Sequence, residues 1–240
     1  MINFIGVSQL YSGITNTINF KSIPITVTPN DTLICFIMSY STGVTAVASP
    51  EWNLQFQISG SSSTIKHGTL FCFSLQQTGT TINPTYYITG LGGNGFSDSL
   101  HSGYILKFSG CFKDSINNSI NAKVGRYNVG GTGIGGTGGI TTTRKNSMIV
   151  TAVGTTFNYV INGWNSDLSP TPIERAQSGI TSGFLSSRLA IATSYKAIEQ
   201  KKYTIGYSTD TSDDNIAIDI TLTPGNTNKL LNIIESFNDS

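Results

Sequence analysis

One order of strand-like segments runs through this chain twice. Asp31-Thr32-Leu33-Ile34-Cys35-Phe36-Ile37 is followed by Trp52-Asn53-Leu54, Gly68-Thr69-Leu70-Phe71-Cys72-Phe73 and Ser102-Gly103-Tyr104-Ile105-Leu106. Asn146-Ser147-Met148-Ile149-Val150-Thr151-Ala152, Trp164-Asn165, Ser187-Arg188-Leu189-Ala190-Ile191-Ala192 and Asn215-Ile216-Ala217-Ile218 answer them. The offsets are similar: 31 to 146 is 115, 52 to 164 is 112, 70 to 189 is 119 and 105 to 218 is 113. Two copies of one strand pattern predict two similar sheets laid face to face. Neither copy alone could cover its own apolar face, so the copies belong to one domain.

That domain is expected to span residues 1–240. The first half covers about 1–113, a connection about 114–143 and the second half about 144–224. The candidate core residues are Leu33, Trp52, Phe71, Ile105, Ile149, Trp164, Ile191 and Ile218. Residues 33–38 are nearly continuously apolar, as in a strand covered on both faces. Residues 53–58 alternate, with Leu54, Phe56 and Ile58 on one face. Residues 216–222 alternate too, which predicts Ala217, Asp219 and Thr221 on a wet face. The connection is polar and then glycine-saturated over 129–139, and reads as a surface crossing. After Pro224-Gly225 the period becomes helical. Leu230, Leu231, Ile233, Ile234 and Phe237 predict one short amphipathic helix over about 226–238, with Thr227 or Asn228 as N-cap. Its stripe of Leu230, Leu231, Ile234 and Phe237 is the candidate assembly surface.

Charged residues make up 11% of the chain, against about 25% in a typical soluble domain. The formal net charge is +1. No Lys and Arg cluster would draw the chain to nucleic acid or an anionic membrane. No apolar run reaches the ~20 residues of a membrane helix. The N-terminus lacks a basic segment and a cleavage site, so synthesis in a cytoplasm without a signal peptide is expected. A neutral surface of hydroxyls and amides favours association, as in a subunit of a larger assembly. Cys35, Cys72 and Cys111 have no metal-ligand spacing. Cys35 and Cys72 read as small hydrophobes within strands.

Candidate chemistry is sparse. Gly131-Thr132-Gly133-Ile134-Gly135-Gly136 matches a dinucleotide fingerprint in letters, but no strand–turn–helix unit surrounds it, so it reads as a loop. His67 and His101 are the only histidines and read as loop or strand-edge residues. Nucleophilic catalysis would need His101 with Asp98 and Ser99 or Ser102, yet neighbours on a strand face opposite ways. Asp210, Asp213 and Asp214 could ligate calcium, but the stretch lacks the EF-hand glycine and terminal Glu, and a hairpin turn between strands at 203–207 and 216–222 accounts for it. Glu51, Asp167, Glu174 and Glu199 are the carboxylates available for glycoside hydrolysis. Matching places in both halves give Trp52 and Trp164 a shared packing role. No cofactor and no resident metal are expected.

The order Pro29-Asn30-Asp31-Thr32-Leu33-Ile34, Ser49-Pro50-Glu51-Trp52-Asn53-Leu54, Gly68-Thr69-Leu70-Phe71, Tyr104-Ile105-Leu106-Lys107-Phe108-Ser109-Gly110, Thr141-Thr142-Thr143 and Asn146-Ser147-Met148-Ile149-Val150 resembles β-sandwich modules of tailed-bacteriophage structural proteins. Those modules occur in tail fibres, tail tips and capsid surfaces. The resemblance spans about residues 23–223, and Glu51 stands where the pattern has Gly before Trp52. It implies an all-β, two-sheet antiparallel β-sandwich of jelly-roll type, to which the repeated order adds two similar halves and the C-terminal spacing one short helix. It also implies a non-enzymatic virion component: a capsid decoration, head fibre or tail accessory protein. The expected partners are copies of itself, as a trimer or other symmetric group, and other virion proteins. The alternatives are an adhesin for host-surface glycan, reading through residues 59–64 or the Gly-rich segment, and a glycan hydrolase.

Overall fold

The computed structural model describes residues 1–13, 17–20, 26–40, 47–48, 52–61, 67–80, 86–89, 100–112, 119–128, 134–136, 138–157, 159–167, 171–182, 185–197, 201–210 and 214–225. The chain is all-β, with several antiparallel sheets. Up to residue 109 the strands are β1 (Asn3–Val7), β2 (Tyr11–Gly13), β3 (Ile18–Phe20), β4 (Thr32–Ser39), β5 (Val47–Ala48), β6 (Asn53–Ser61), β7 (His67–Gln76), β8 (Tyr86–Thr89) and β9 (His101–Ser109). Then follow β10 (Ile120–Asn128), β11 (Ile134–Gly136), β12 (Ile140–Thr141), β13 (Ser147–Thr155), β14 (Ile161–Ser166), β15 (Ile173–Ser182), β16 (Leu185–Ala197), β17 (Lys202–Tyr203), β18 (Ile205–Thr209) and β19 (Asn215–Leu222).

The six-stranded sheet runs β1-β9-β4-β7-β6, with β2 also on β9. The five-stranded sheet runs β10-β19-β13-β16-β15. The two share one core. Ile34, Phe36, Met38, Cys72, Leu106 and Phe108 of the first meet Val150, Ala152, Leu189, Ile191, Ile218 and Ile220 of the second. Met38 fits where Gly68 and Gly154 leave room: a Cβ at Gly154 would collide with its sulfur. Phe56 in the same way occupies the space a side chain at Gly125 would need.

Among the described residues, three smaller sheets lie outside this pair. The sheet β3-β8-β5 brings Ile18, Phe20, Tyr86 and Ile88 over Leu33, Cys35, Ile37, Phe71, Phe73 and Ile105. On the far face of the five-stranded sheet, β11-β18-β14 and β12-β17 bring Ile140, Ile161, Tyr203, Ile205 and Tyr207 over Ile149, Val153, Ala190 and Ala217. Both central layers are therefore covered on both sides, which explains strands as continuously buried as β4, β13 and β19.

Several expectations change. Ala217, Asp219 and Thr221 are buried, not wet, because the outer layer covers that face of β19. Leu54 does not share a face with Phe56 and Ile58. The register slips between Leu54 and Phe56, leaving Leu54 46% exposed. The segment 114–143 is no plain crossing, since it holds β10, β11 and β12, with β10 closing an edge of the five-stranded sheet. Residues 203–207 are split between β17 and β18, which belong to different sheets. The helix expected over 226–238, with Leu230, Leu231, Ile234 and Phe237, lies outside the described residues.

Candidate functional site

Leu33, Trp52, Phe71, Ile105, Ile149, Ile191 and Ile218 are buried. Trp164 is half-buried. The two tryptophans do not sit in matching elements. Trp52 precedes β6 in the large sheet and meets Tyr86 edge-on, ring centroids 5.2 Å apart. Trp164 belongs to β14 of a small sheet and tilts against Tyr207 at 5.8 Å. Each nonetheless packs between a large sheet and its outer cover, against a tyrosine of the cover's middle strand.

His101 is fully buried, not a loop or edge residue. Its neighbour Ser102 points into the core between the large sheets, where its hydroxyl meets that of Ser187 at 2.8 Å. The pleat thus sends His101 and Ser102 to opposite faces. Asp98 and Ser99 lie outside the described residues, as do Asp213, Glu51 and Glu199. His67 opens β7. Asp210 accepts a bond from Asn162 Nδ2, and Asp214 from the Tyr127 hydroxyl. β18 and β19, the strands on either side, belong to different sheets and are not the two arms of one hairpin. Asp167 accepts the amide of Thr204. Cys35, Cys72 and Cys111 are free and buried. Burial raises all three thiols, Cys111 to about 11, which keeps them protonated and unreactive in the fold.

Two buried polar groups escaped the sequence reading. Lys107 pairs with Asp31 at 2.9 Å, both side chains less than a tenth exposed. Lys107 Nζ also donates to the Thr26 carbonyl, and Asp31 Oδ2 accepts from the Thr28 amide and hydroxyl. A lysine inside Tyr104-Ile105-Leu106-Lys107-Phe108 was the available signal, since a buried ammonium needs a partner. The second is Asp219, which accepts the Thr151 hydroxyl at 2.5 Å beneath the small sheet. Nearby, the Tyr207 hydroxyl donates to Asn215 and accepts from Asn128 Nδ2. Burial pushes the Tyr207 phenol above its ordinary range.

The most varied surface chemistry lies around Trp164. Its indole Nε1 donates to Glu174 Oε2 at 2.8 Å, and Gln177 Nε2 reaches the same carboxylate. Gln177 also clamps β14 to β15, accepting from the Ile161 amide and donating to its carbonyl. Val160 and Ile173 flank the group, 40% and 44% exposed. Such a half-open aromatic ring beside fixed amides and a carboxylate can stack on, and hydrogen-bond to, a polar ring. A small pocket elsewhere, between Met38, Gly68, Gly154 and Ile216, is mostly apolar.

No family model, curated protein or solved structure matches the chain.

Proposed function

We propose that this chain is a duplicated β-sandwich of jelly-roll type serving as a non-enzymatic structural component of a tailed-bacteriophage virion. It would stand on the capsid as decoration or head fibre, or on the tail, and act through contacts with its own copies and with other virion proteins. The observation carrying the duplicated-fold part of this reading is that one strand-pairing plan is used twice. The order β1-β9-β4-β7-β6 maps onto β10-β19-β13-β16-β15, and β3-β8-β5 onto β11-β18-β14. Irregularities correspond as well. β1 slips between Phe4 and Gly6 and β10 between Ile120 and Ala122, where 4 to 120 and 6 to 122 are each 116. β6 slips between Leu54 and Phe56 and β15 between Glu174 and Ala176, each 120 on. The residue inside each latter bulge turns to the next strand: Gln55 donates to Ser74 Oγ, and Arg175 donates to Thr193 Oγ1. Asn30 and Asn146, also 116 apart, are the non-glycine residues with positive φ among those described, at 74° and 59°.

The halves are joined like two subunits of a symmetric dimer, each contributing the same surface. Ser102 meets Ser187, and their counterparts Ile216 and Gly68 adjoin each other. Lys123 of β10 donates to the Gln55 carbonyl, while Arg175 lies over the Phe4 ring of β1. Matched polar side chains here fasten strand to strand, which suits a scaffold. The virion role itself rests on the motif order of the sequence. Exposed Ile5, Leu54 and Ile173 on edge strands favour association. Locating the protein in a virion reconstruction tests the proposal. A stable monomer that is absent from particles and has no affinity for virion proteins would remove it.

The Trp164 group favours a second reading, a glycan adhesin. Reproducible binding on a glycan array, lost in Trp164→Ala with folding intact, would put it first.

A further inference from the structure

The Trp164 surface also contains a reactive pair. Asn162 and Gly163 are adjacent and exposed on β14. The pairing of β14 with β18 matches Asn162 to Ser208 and then skips Gly163 and Trp164, resuming at Asn165. Gly163 sits in this bulge with a φ of 56°. Without a Cβ it leaves the approach to the Asn162 side chain open, and a Cβ there would strike Ser208 Oγ. The Asn162 amide is held at both ends. Ser208 Oγ donates to Oδ1 at 2.7 Å, and Nδ2 donates to Asp210 Oδ1 at 3.0 Å. A donor on Oδ1 draws electrons from Cγ and steadies the charge that an attacking nucleophile would place on that oxygen.

From this geometry we infer that Asn162 is a self-modification site, converting to aspartate and isoaspartate by attack of its own backbone. The Gly163 amide nitrogen gives its proton to water and bonds to Asn162 Cγ. The C=O electron pair moves onto Oδ1, and the Ser208 hydroxyl donates a hydrogen bond to the oxyanion formed there. When that pair returns, the Cγ–Nδ2 bond breaks and Nδ2 leaves as ammonia with a proton from water. Water then opens the cyclic imide at one carbonyl or the other. The product carboxylate faces Asp210 where an amide had donated to it. Two like charges then oppose each other across β14 and β18, beside Trp164. The conversion therefore loosens this small sheet and adds charge to the surface with the half-open indole.

The test is peptide mapping of the intact protein during incubation in mildly alkaline buffer, with isoaspartate at position 162 measured in the folded chain and in urea. The folded chain is expected to convert at least as fast as the unfolded one. Ser208→Ala should slow the folded reaction about tenfold, less than the ~10²–10³ of a fully enclosed oxyanion donor. The variant removes one half-buried hydroxyl and keeps the strand. Slower conversion in the folded chain than in urea would mean that Ser208 and Asp210 protect the amide, and would overturn the inference. So would an unchanged rate in Ser208→Ala.

Discussion

At the scale of single residues, the buried pair of Lys107 and Asp31 ties the strand start at β4 to β9 and to the turn before it. Taking away one member leaves the other charged in a dry place, at a cost of about 3–5 kcal/mol. Lys107→Met should therefore lower the urea-unfolding free energy by about that amount. Asp31→Asn together with Lys107→Met should lose clearly less than Lys107→Met alone, because an amide needs no counter-charge and still accepts from Thr28. A double variant as unstable as the sum of the singles would show that the pair is not coupled. Asp219 works differently: it sits beneath the small sheet with Thr151 as partner, where Ile105 fills the matching layer of the first half. The two outer layers differ, one greasy and one hydrogen-bonded.

At the scale of elements, Asn30 and Asn146 stand just before β4 and β13, strands that the proposed duplication pairs, in left-handed backbone, which asparagine and glycine tolerate and β-branched residues do not. Asn30→Gly and Asn146→Gly should be nearly neutral, while Asn30→Val and Asn146→Val should each cost about 1–2 kcal/mol in chemical denaturation. Similar penalties at the two sites support the duplication; a penalty at one alone speaks against it. These turns also explain which parts of the fold the sequence made legible. Strand existence and the continuous burial of β4 could be read from Leu33 to Met38. The offset of 119 from Leu70 to Leu189 also lands on matching, inward-facing residues. The offset of 115 from Asp31 to Asn146 misses by one, because the left-handed turns align at 116. A single-residue error exchanges the two faces: Leu33 faces the outer cover whereas Met148 faces the shared core. Ile105 and Ile218 are mismatched in the same way. Trp52 corresponds in the bulge register to Pro172, not to Trp164. Bulges change parity without a composition signal, and covers built mostly on strands of two to four residues are too short for a period to show. The Trp164 surface escaped notice because its members come from three separate strands, β14, β15 and the far end of β18.

At the scale of the whole molecule, both large sheets depend on one interior. Phe36, Ile34 and Leu106 bury their area against Ile218, Val150 and Ile220, and among the described residues neither sheet has another partner for that face. Unfolding should then be a single event. Each tryptophan reports a different half, so Trp52→Phe and Trp164→Phe each leave one local probe. The fluorescence melts of these variants should show one transition each, with width and midpoint matching those from circular dichroism of the same variant. A biphasic far-ultraviolet melt whose two steps coincide with the two probes would mean independent halves. The hydroxyls of Ser102 and Ser187, the latter also donating to the Met38 carbonyl, lie in the middle of this hydrocarbon layer. Grease alone is indifferent to lateral sliding, but displacement by one residue would strand these groups, at about 1–3 kcal/mol for each. The stack consequently has one resting alignment, and anything docked along its rim meets edges held at a fixed pitch.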